Sequence, residues 1–252
     1  MIGAIAGDII GSLHEGSRPQ LGPIELFPEG CCFTDDTVCT IAVADAAMTD
    51  HDFARHMRNY VQRHPRRRYG KMFRNWAYSK AAPYGSFGNG GAMRVSSLPY
   101  LANSLDDVLD LAARSAAVSH DHPSAVNGAA AVVFAIWRAL EGARPDILRS
   151  EIEIRFGYNL AGSADELRQG SPPGTSADSS VPEAIACACL ADDYEQAVRL
   201  AVSLGGDTDT VACISGGIAE AWFGVPKDIA RNTLGYLTSD LLETIGRFEG
   251  FR

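Results

Sequence analysis

Gly128-Ala129-Ala130-Ala131-Val132-Val133-Phe134-Ala135-Ile136-Trp137-Arg138-Ala139-Leu140 is the run that decides the fold class. Alanine has the best intrinsic helix propensity. Val132, Ala135, Ile136 and Ala139 fall at i, i+3, i+4 and i+7, on one helical face. The run is predicted as a central helix. Outward from it the same period returns in Phe53, Met57, Tyr60 and Val61, and in Val108, Leu111 and Ala112, where Ser104 precedes Leu105 as the expected N-cap. Val181 to Leu190, Tyr194 to Leu204 and Val211 to Phe223 read as three further helices. Few segments alternate apolar and polar residues as half-buried strands do. The expected architecture is all-α, a compact single domain over residues 1 to 252.

Three stretches lack the helical period: Arg18 to Gly30, Lys80 to Gly91 and Gly170 to Ser180. The last contains Ser171-Pro172-Pro173-Gly174-Thr175-Ser176 and is the expected mobile segment. Gly3, Gly7 and Gly11 recur every four residues, and Gly216, Gly217 and Ala219 form a second small-residue patch. Glycine inside a helix costs about 0.5–1 kcal/mol relative to alanine. The pattern fits either ordinary small-residue packing or a tight crossing of these two helices beside the functional site.

Of the 252 residues, 46% are hydrophobic and 21% charged, and the net charge is -9. These proportions are those of a globular protein. An acidic chain does not attract nucleic acid through its overall field, so an anionic ligand would need local N–H groups or bound cations. No run of about 18 apolar residues is evident, so no membrane span is expected. The N-terminus lacks a basic region and Asp8 interrupts its apolar run, so it reads as a buried first helix rather than a signal peptide. Cys31, Cys32, Cys39, Cys187, Cys189 and Cys213 form no C-x-x-C pair. They read as buried, reduced thiols of a cytoplasmic protein. The Arg66-Arg67-Arg68 run reads as a solvated face.

Two acidic segments carry the chemistry. Phe33-Thr34-Asp35-Asp36-Thr37 and Gly205-Gly206-Asp207-Thr208-Asp209-Thr210 each precede a helical pattern. Asp and Thr at such positions cap free N–H groups and complement the helix dipole. One carboxylate suffices for a cap. Adjacent Asp35 and Asp36, and Asp207 two positions from Asp209, exceed that need, and crowded carboxylates resist ionising beside each other. A bound dication removes this penalty. With oxygen ligands only, Mg²⁺ or Mn²⁺ suits the set better than Zn²⁺. Two clusters of similar form fit two ions sharing a bridging carboxylate. Neither loop follows the twelve-residue EF-hand pattern.

Six blocks occur in order: Gly3-Ala4-Ile5-Ala6-Gly7-Asp8-Ile9-Ile10-Gly11-Ser12 with Glu15 after it, Phe33 to Thr37, Gly88-Asn89-Gly90-Gly91-Ala92-Met93-Arg94, Ser119-His120-Asp121-His122-Pro123, Ser180-Val181-Pro182-Glu183-Ala184, and Leu204 to Thr210. In these blocks, nearly end to end, the chain resembles the ADP-ribosylglycohydrolase family, in its bacterial form. The resemblance implies a compact all-α helix bundle and a dinuclear Mg²⁺ or Mn²⁺ centre held by Thr34, Asp35, Asp36, Asp207, Asp209 and Thr210. It implies hydrolysis of the glycosidic bond between ADP-ribose and an acceptor, with Asp36, Glu15 and Asp209 as catalytic candidates. Asp36 would activate or position water, and Glu15 would act as acid, base or gate. The resemblance also makes Gly85, Ser86, Phe87, Gly88, Asn89 and Gly90 candidate contacts for the diphosphate and distal ribose, with His120 or His122 beside them. At Thr175 to Ser179 the chain departs from the Cys-Gln-Gly-like stretch of many bacterial relatives, which bears on substrate preference. Two alternatives stay open: hydrolysis of a free ADP-ribose derivative such as O-acetyl-ADP-ribose, or ADP-ribose binding without turnover.

Overall fold

The structure is a computed structural model that describes residues 1 to 251. Its helices are α1 (Ile2–Gly11), α2 (Asp35–Ala47), α3 (Phe53–Arg63), α4 (Lys71–Ala77), α5 (Leu105–Ala117), α6 (Pro123–Leu140) and α7 (Pro145–Phe156). They continue as α8 (Ala164–Gln169), α9 (Ala177–Leu190), α10 (Tyr194–Ser203), α11 (Thr208–Phe223), α12 (Lys227–Gly235) and α13 (Ser239–Glu249). Among the described residues there is no strand, only two isolated antiparallel bridges, Ser17 with Gly206 and Gly88 with Ser176. The fold is all-α, as the periodicity predicts.

Helix α6 is the central element and packs against α5, α7, α9 and α11. It starts at Pro123, five residues before the alanine run, because proline at the first helical position needs no N–H partner. His122 is its N-cap, its Nδ1 accepting the Ser124 N–H at 3.2 Å. The added turn corrects one expectation. At 18 residues, α6 is long and apolar enough to cross a membrane by length and composition. In this fold 56% of it is buried among other helices, so its apolar face is taken up by the protein core.

Helices α1 and α11 cross in close contact, as the glycine spacing allows. A Cβ placed on Gly3 would lie 2.5 Å from the Gly216 carbonyl oxygen, and one on Gly11 2.5 Å from that of Thr208. One on Gly7 would overlap the Ala212 carbonyl. Side chains are absent where backbone meets backbone, and the end of α1 reaches the start of α11, where Thr208 Oγ1 donates to the Gly11 carbonyl at 2.9 Å. This crossing brings Asp8 beside both acidic segments.

The segment expected to be mobile is instead pinned. Its last residues begin α9 at Ala177, within the predicted loop. Asn89 donates its N–H to the Thr175 carbonyl at 2.9 Å, Ala177 to Phe87 at 3.0 Å, and Asp207 to Pro173 at 3.0 Å. Gly205 and Gly206 both adopt positive φ, 70° and 69°, to turn the chain into α11.

Candidate active site

Both acidic segments cap helices that open onto one cavity of about 430 Å³. Thr34 is the N-cap of α2, its hydroxyl accepting the Asp36 N–H, and Asp207 is the N-cap of α11. Two helix N-termini therefore direct partial positive charge at the same carboxylates. Asp35, Asp36, Asp207, Asp209, Thr210 and Glu15 line the cavity together. Thr210 Oγ1 donates to Asp36 Oδ2 at 3.3 Å, joining the two segments across 174 residues of chain.

Carboxylate oxygens of Asp8, Asp36 and Asp209 lie within 4.8 Å of one another, and so do those of Glu15, Asp207 and Asp209. Asp209 belongs to both groups. Burial and mutual repulsion dominate the electrostatics. Burial, then Asp209, pushes the Asp36 carboxyl well above its usual range. Burial, then Asp207, does the same to Asp209. Burial and the nearby Asp8 push Asp35 up to about 8. Burial raises Asp207 against the opposing hydrogen bond from Asn89.

The donor set fits hard dications. It is all oxygen, and Asp36 Oδ1 is buried with no hydrogen-bond partner, an acceptor in want of a cation. Thr34 has its own proton donated to Asp8 Oδ1 at 2.6 Å, which leaves lone pairs on the hydroxyl oxygen. Thr34 is fully buried, its hydroxyl 3.4 Å from Asp36 Oδ2, and is not among the residues that line the cavity.

A model of the family described as ADP-ribosylglycohydrolase matches residues 1–249. The chain belongs to the ADP-ribosylglycohydrolase family. It is similar to ADP-ribosylhydrolase ARH3 of Bos taurus and of Homo sapiens, 27% identical to each over 96% of this chain and 89% and 90% of theirs. It is 33% identical to the uncharacterized protein YegU of Escherichia coli (strain K12), over 54% of this chain and 50% of that protein. A solved structure described as an ADP-ribosylglycohydrolase-related protein complex shares the fold, with a TM-score of 0.70 and 24% identity, covering 99% of this chain and 93% of that one.

In this ADP-ribosylglycohydrolase the glycine-rich loop divides. Ser86, Gly88, Asn89 and Gly90 line the cavity, whereas Gly85 and Phe87 do not. Gly85 donates its N–H to Asp121 Oδ1 at 2.7 Å, and Phe87 stands 60% exposed with its edge against the His122 ring. Asn89 is buried and its Nδ2 donates to Asp207 Oδ2 at 2.6 Å and to Ser180 Oγ at 3.1 Å. His120 faces the cavity; His122 is exposed and occupied in capping α6. The choice between the two histidines depends on which turn of chain faces inward, which spacing does not encode.

The arginine run is not simply a solvated face. Arg67 stacks over the Phe33 ring at 3.5 Å, and Arg68 donates to the Ser12 carbonyl at 2.6 Å and to Glu15 Oε2 at 2.9 Å. Arg68, Lys71 and Arg94 set positive charge among the carboxylates that line the cavity. Sequence reasoning passed over Asp8 as a ligand-sphere residue. Asp8 is fully buried and accepts from the Thr34 N–H at 2.9 Å, the Thr37 N–H at 3.1 Å and both threonine hydroxyls. The available signal was a carboxylate on an otherwise apolar helix, which requires a polar partner.

Proposed function

We propose that this ADP-ribosylglycohydrolase works with two divalent cations, Mg²⁺ or Mn²⁺, sharing Asp209. The observation that carries this reading is the membership of Asp209 in two overlapping carboxylate groups, with the Asp36 Oδ1 acceptor unpartnered beside them. Asp36 and Asp209, with Asp8 and the Thr34 and Thr210 hydroxyls around them, would hold one cation, and Glu15, Asp207 and Asp209 the other, with Asp35 alongside. Bound there, the cations supply the positive charge that orients ribose hydroxyls and makes water acidic.

The chain's own residues do the rest. Asn89 holds Asp207 in place through its amide. Gly88 and Gly90 line the cavity, and the missing side chain at Gly90 lets the His120 ring pack against the loop backbone. Asp36, as a cation-holding carboxylate, is placed to orient the attacking water for cleavage through an oxocarbenium-like state. Glu15, exposed and paired with Arg68, is placed to exchange the proton of the leaving group with solvent. Lys71 and Arg68 offer charge to a diphosphate. The six cysteines, all unpaired, support a reducing, cytoplasmic setting.

The test is release of ADP-ribose from a panel of defined linkages, on arginine, on serine, on a nucleic-acid end and on O-acetyl-ADP-ribose, alongside calorimetric titration with Mn²⁺. Two equivalents of Mn²⁺ and turnover of at least one linkage are expected. No uptake of either cation by folded protein would overturn the two-ion reading.

A further inference from the structure

Arg94 is fully buried, and none of its hydrogen-bond acceptors among the described residues is a carboxylate. Its Nη2 donates to the Ser115 carbonyl at 2.6 Å, to the Ala116 carbonyl at 3.3 Å and to Ser119 Oγ at 3.1 Å, while Nε and Nη1 have no hydrogen-bond partner. Keeping a guanidinium buried in this way is costly, and the cost calls for a task. Arg94 is itself among the residues that line the cavity, as is His120. Ser119 Oγ lies 2.8 Å from His120 Nδ1.

The hydrogen atoms on this chain follow from counting donors. Ser119 is fully buried, and its hydroxyl has one proton. Arg94 is donor-only, so Ser119 Oγ must accept from it. The remaining partner of the hydroxyl is His120 Nδ1. If Nδ1 carried a proton, the Ser119 O–H would be left buried without an acceptor, which costs more than a normal hydrogen bond contributes. The nearby cation also favours the arrangement in which the imidazole lone pair, not an N–H, faces it. Accepting from a cation makes the serine O–H a stronger donor in turn.

We propose that Arg94, acting through Ser119, is a positioning residue that holds His120 as a neutral imidazole with its proton on Nε2, so that His120 offers the cavity a hydrogen-bond donor. Burial and the charge of Arg94 push the His120 pKa down to about 3, so the ring stays neutral at working pH. The other groups around the ring do not reverse this. Phe73 and Tyr84 pack on it with ring centres 5.9 Å away, and the Tyr84 phenol is pushed up to about 12 by burial and stays neutral. Gly90 presses on the same edge: a Cβ there would stand 2.7 Å from Nε2. His120 is then a donor to a ribosyl or phosphate oxygen, and proton abstraction falls to the carboxylates. The identity of that oxygen-rich ligand rests on the function proposed above; the tautomer does not.

Two measurements test this on the full-length protein. Nitrogen-15 NMR of the ligand-free protein should show His120 protonated on Nε2 only, unchanged down to about pH 5. Ser119→Ala should shift the ring toward a mixture of tautomers and weaken ADP-ribose binding about 2- to 10-fold, the range of one neutral hydrogen bond, with Mn²⁺ uptake unchanged. Ser119→Thr, which keeps the hydroxyl, should restore both. Arg94→Met should do the same as Ser119→Ala if it folds; Ser119→Ala carries the test if it does not. A proton on Nδ1 in the wild type, or a folded Ser119→Ala with wild-type tautomer and affinity, overturns the proposal. Wild-type protein with the expected tautomer but no ADP-ribose binding would overturn the substrate reading alone.

Discussion

Asn89 donates its side-chain amide to Asp207 Oδ2 at 2.6 Å, which ties the glycine-rich loop to the second acidic segment across 118 residues of chain. Both partners are buried, so the bond fixes which carboxylate oxygen faces the cavity. Asn89→Ala should leave the fold intact and weaken Mn²⁺ binding about 10- to 100-fold, the usual effect of removing a group that orients a ligand carboxylate. Calorimetry checks it, and an unchanged dissociation constant would show that Asp207 holds its place without help.

The helix crossing gives a stability prediction with an internal control. Gly7→Ala puts a methyl group into the Ala212 carbonyl, and neither backbone can retreat without moving a helix. The expected loss is about 1–3 kcal/mol or more. Gly22 has open space around it, so Gly22→Ala should stay within about 0.5 kcal/mol of wild type. Denaturant midpoints at constant slope measure both.

Stability in the absence of metal should fall as pH rises. The Asp35 carboxyl, ordinarily at 3.8, is pushed up to about 8 in the folded protein, and its neighbours Asp36, Asp207 and Asp209 are raised too. Between pH 4 and pH 8 the folded chain therefore binds more protons than the unfolded one, and the linkage relation gives a negative slope of stability against pH. Bound cations replace those protons. The rise in melting temperature on adding Mg²⁺ or Mn²⁺ should be largest near pH 8 and shrink toward pH 5. Thermal melts with and without metal across that range would show it.

Asp8 supplies the acceptors for the Thr34–Thr37 turn and gives a prediction of its own. Asp8→Asn removes charge from a buried acceptor of several donors and should cost about 1–3 kcal/mol. It should also weaken metal uptake, since Thr34 and Asp36 lose their anchor. A variant as stable as wild type, by denaturant titration, would contradict the role given to this residue.

What the sequence made legible follows from what local patterns encode. The alanine run before Leu140, the Ser104 cap and the two Asp/Thr segments were readable because period, cap and charge crowding are local. Some unread helices carried equally local signals. Ser163 and Glu166 form a capping box at α8, and α7 runs from Pro145 to a left-handed Gly157. Others were not local at all. The pinning of Gly170 to Ser176, the Arg68–Glu15 pair and the inward turn of His120 depend on contacts between distant segments. A Pro-rich run read alone cannot report that its carbonyls are claimed by Asn89 and Asp207.

The most direct test of the central claim is initial-rate release of ADP-ribose from an ADP-ribosylated protein, with Mg²⁺ or Mn²⁺ and then with excess EDTA, for wild type and for Asp209→Asn. Turnover that requires the cation, is abolished by EDTA and falls by at least a hundredfold in the folded variant is the predicted result. Undiminished hydrolysis in EDTA, or a variant as fast as wild type, would contradict a metal centre built on Asp209.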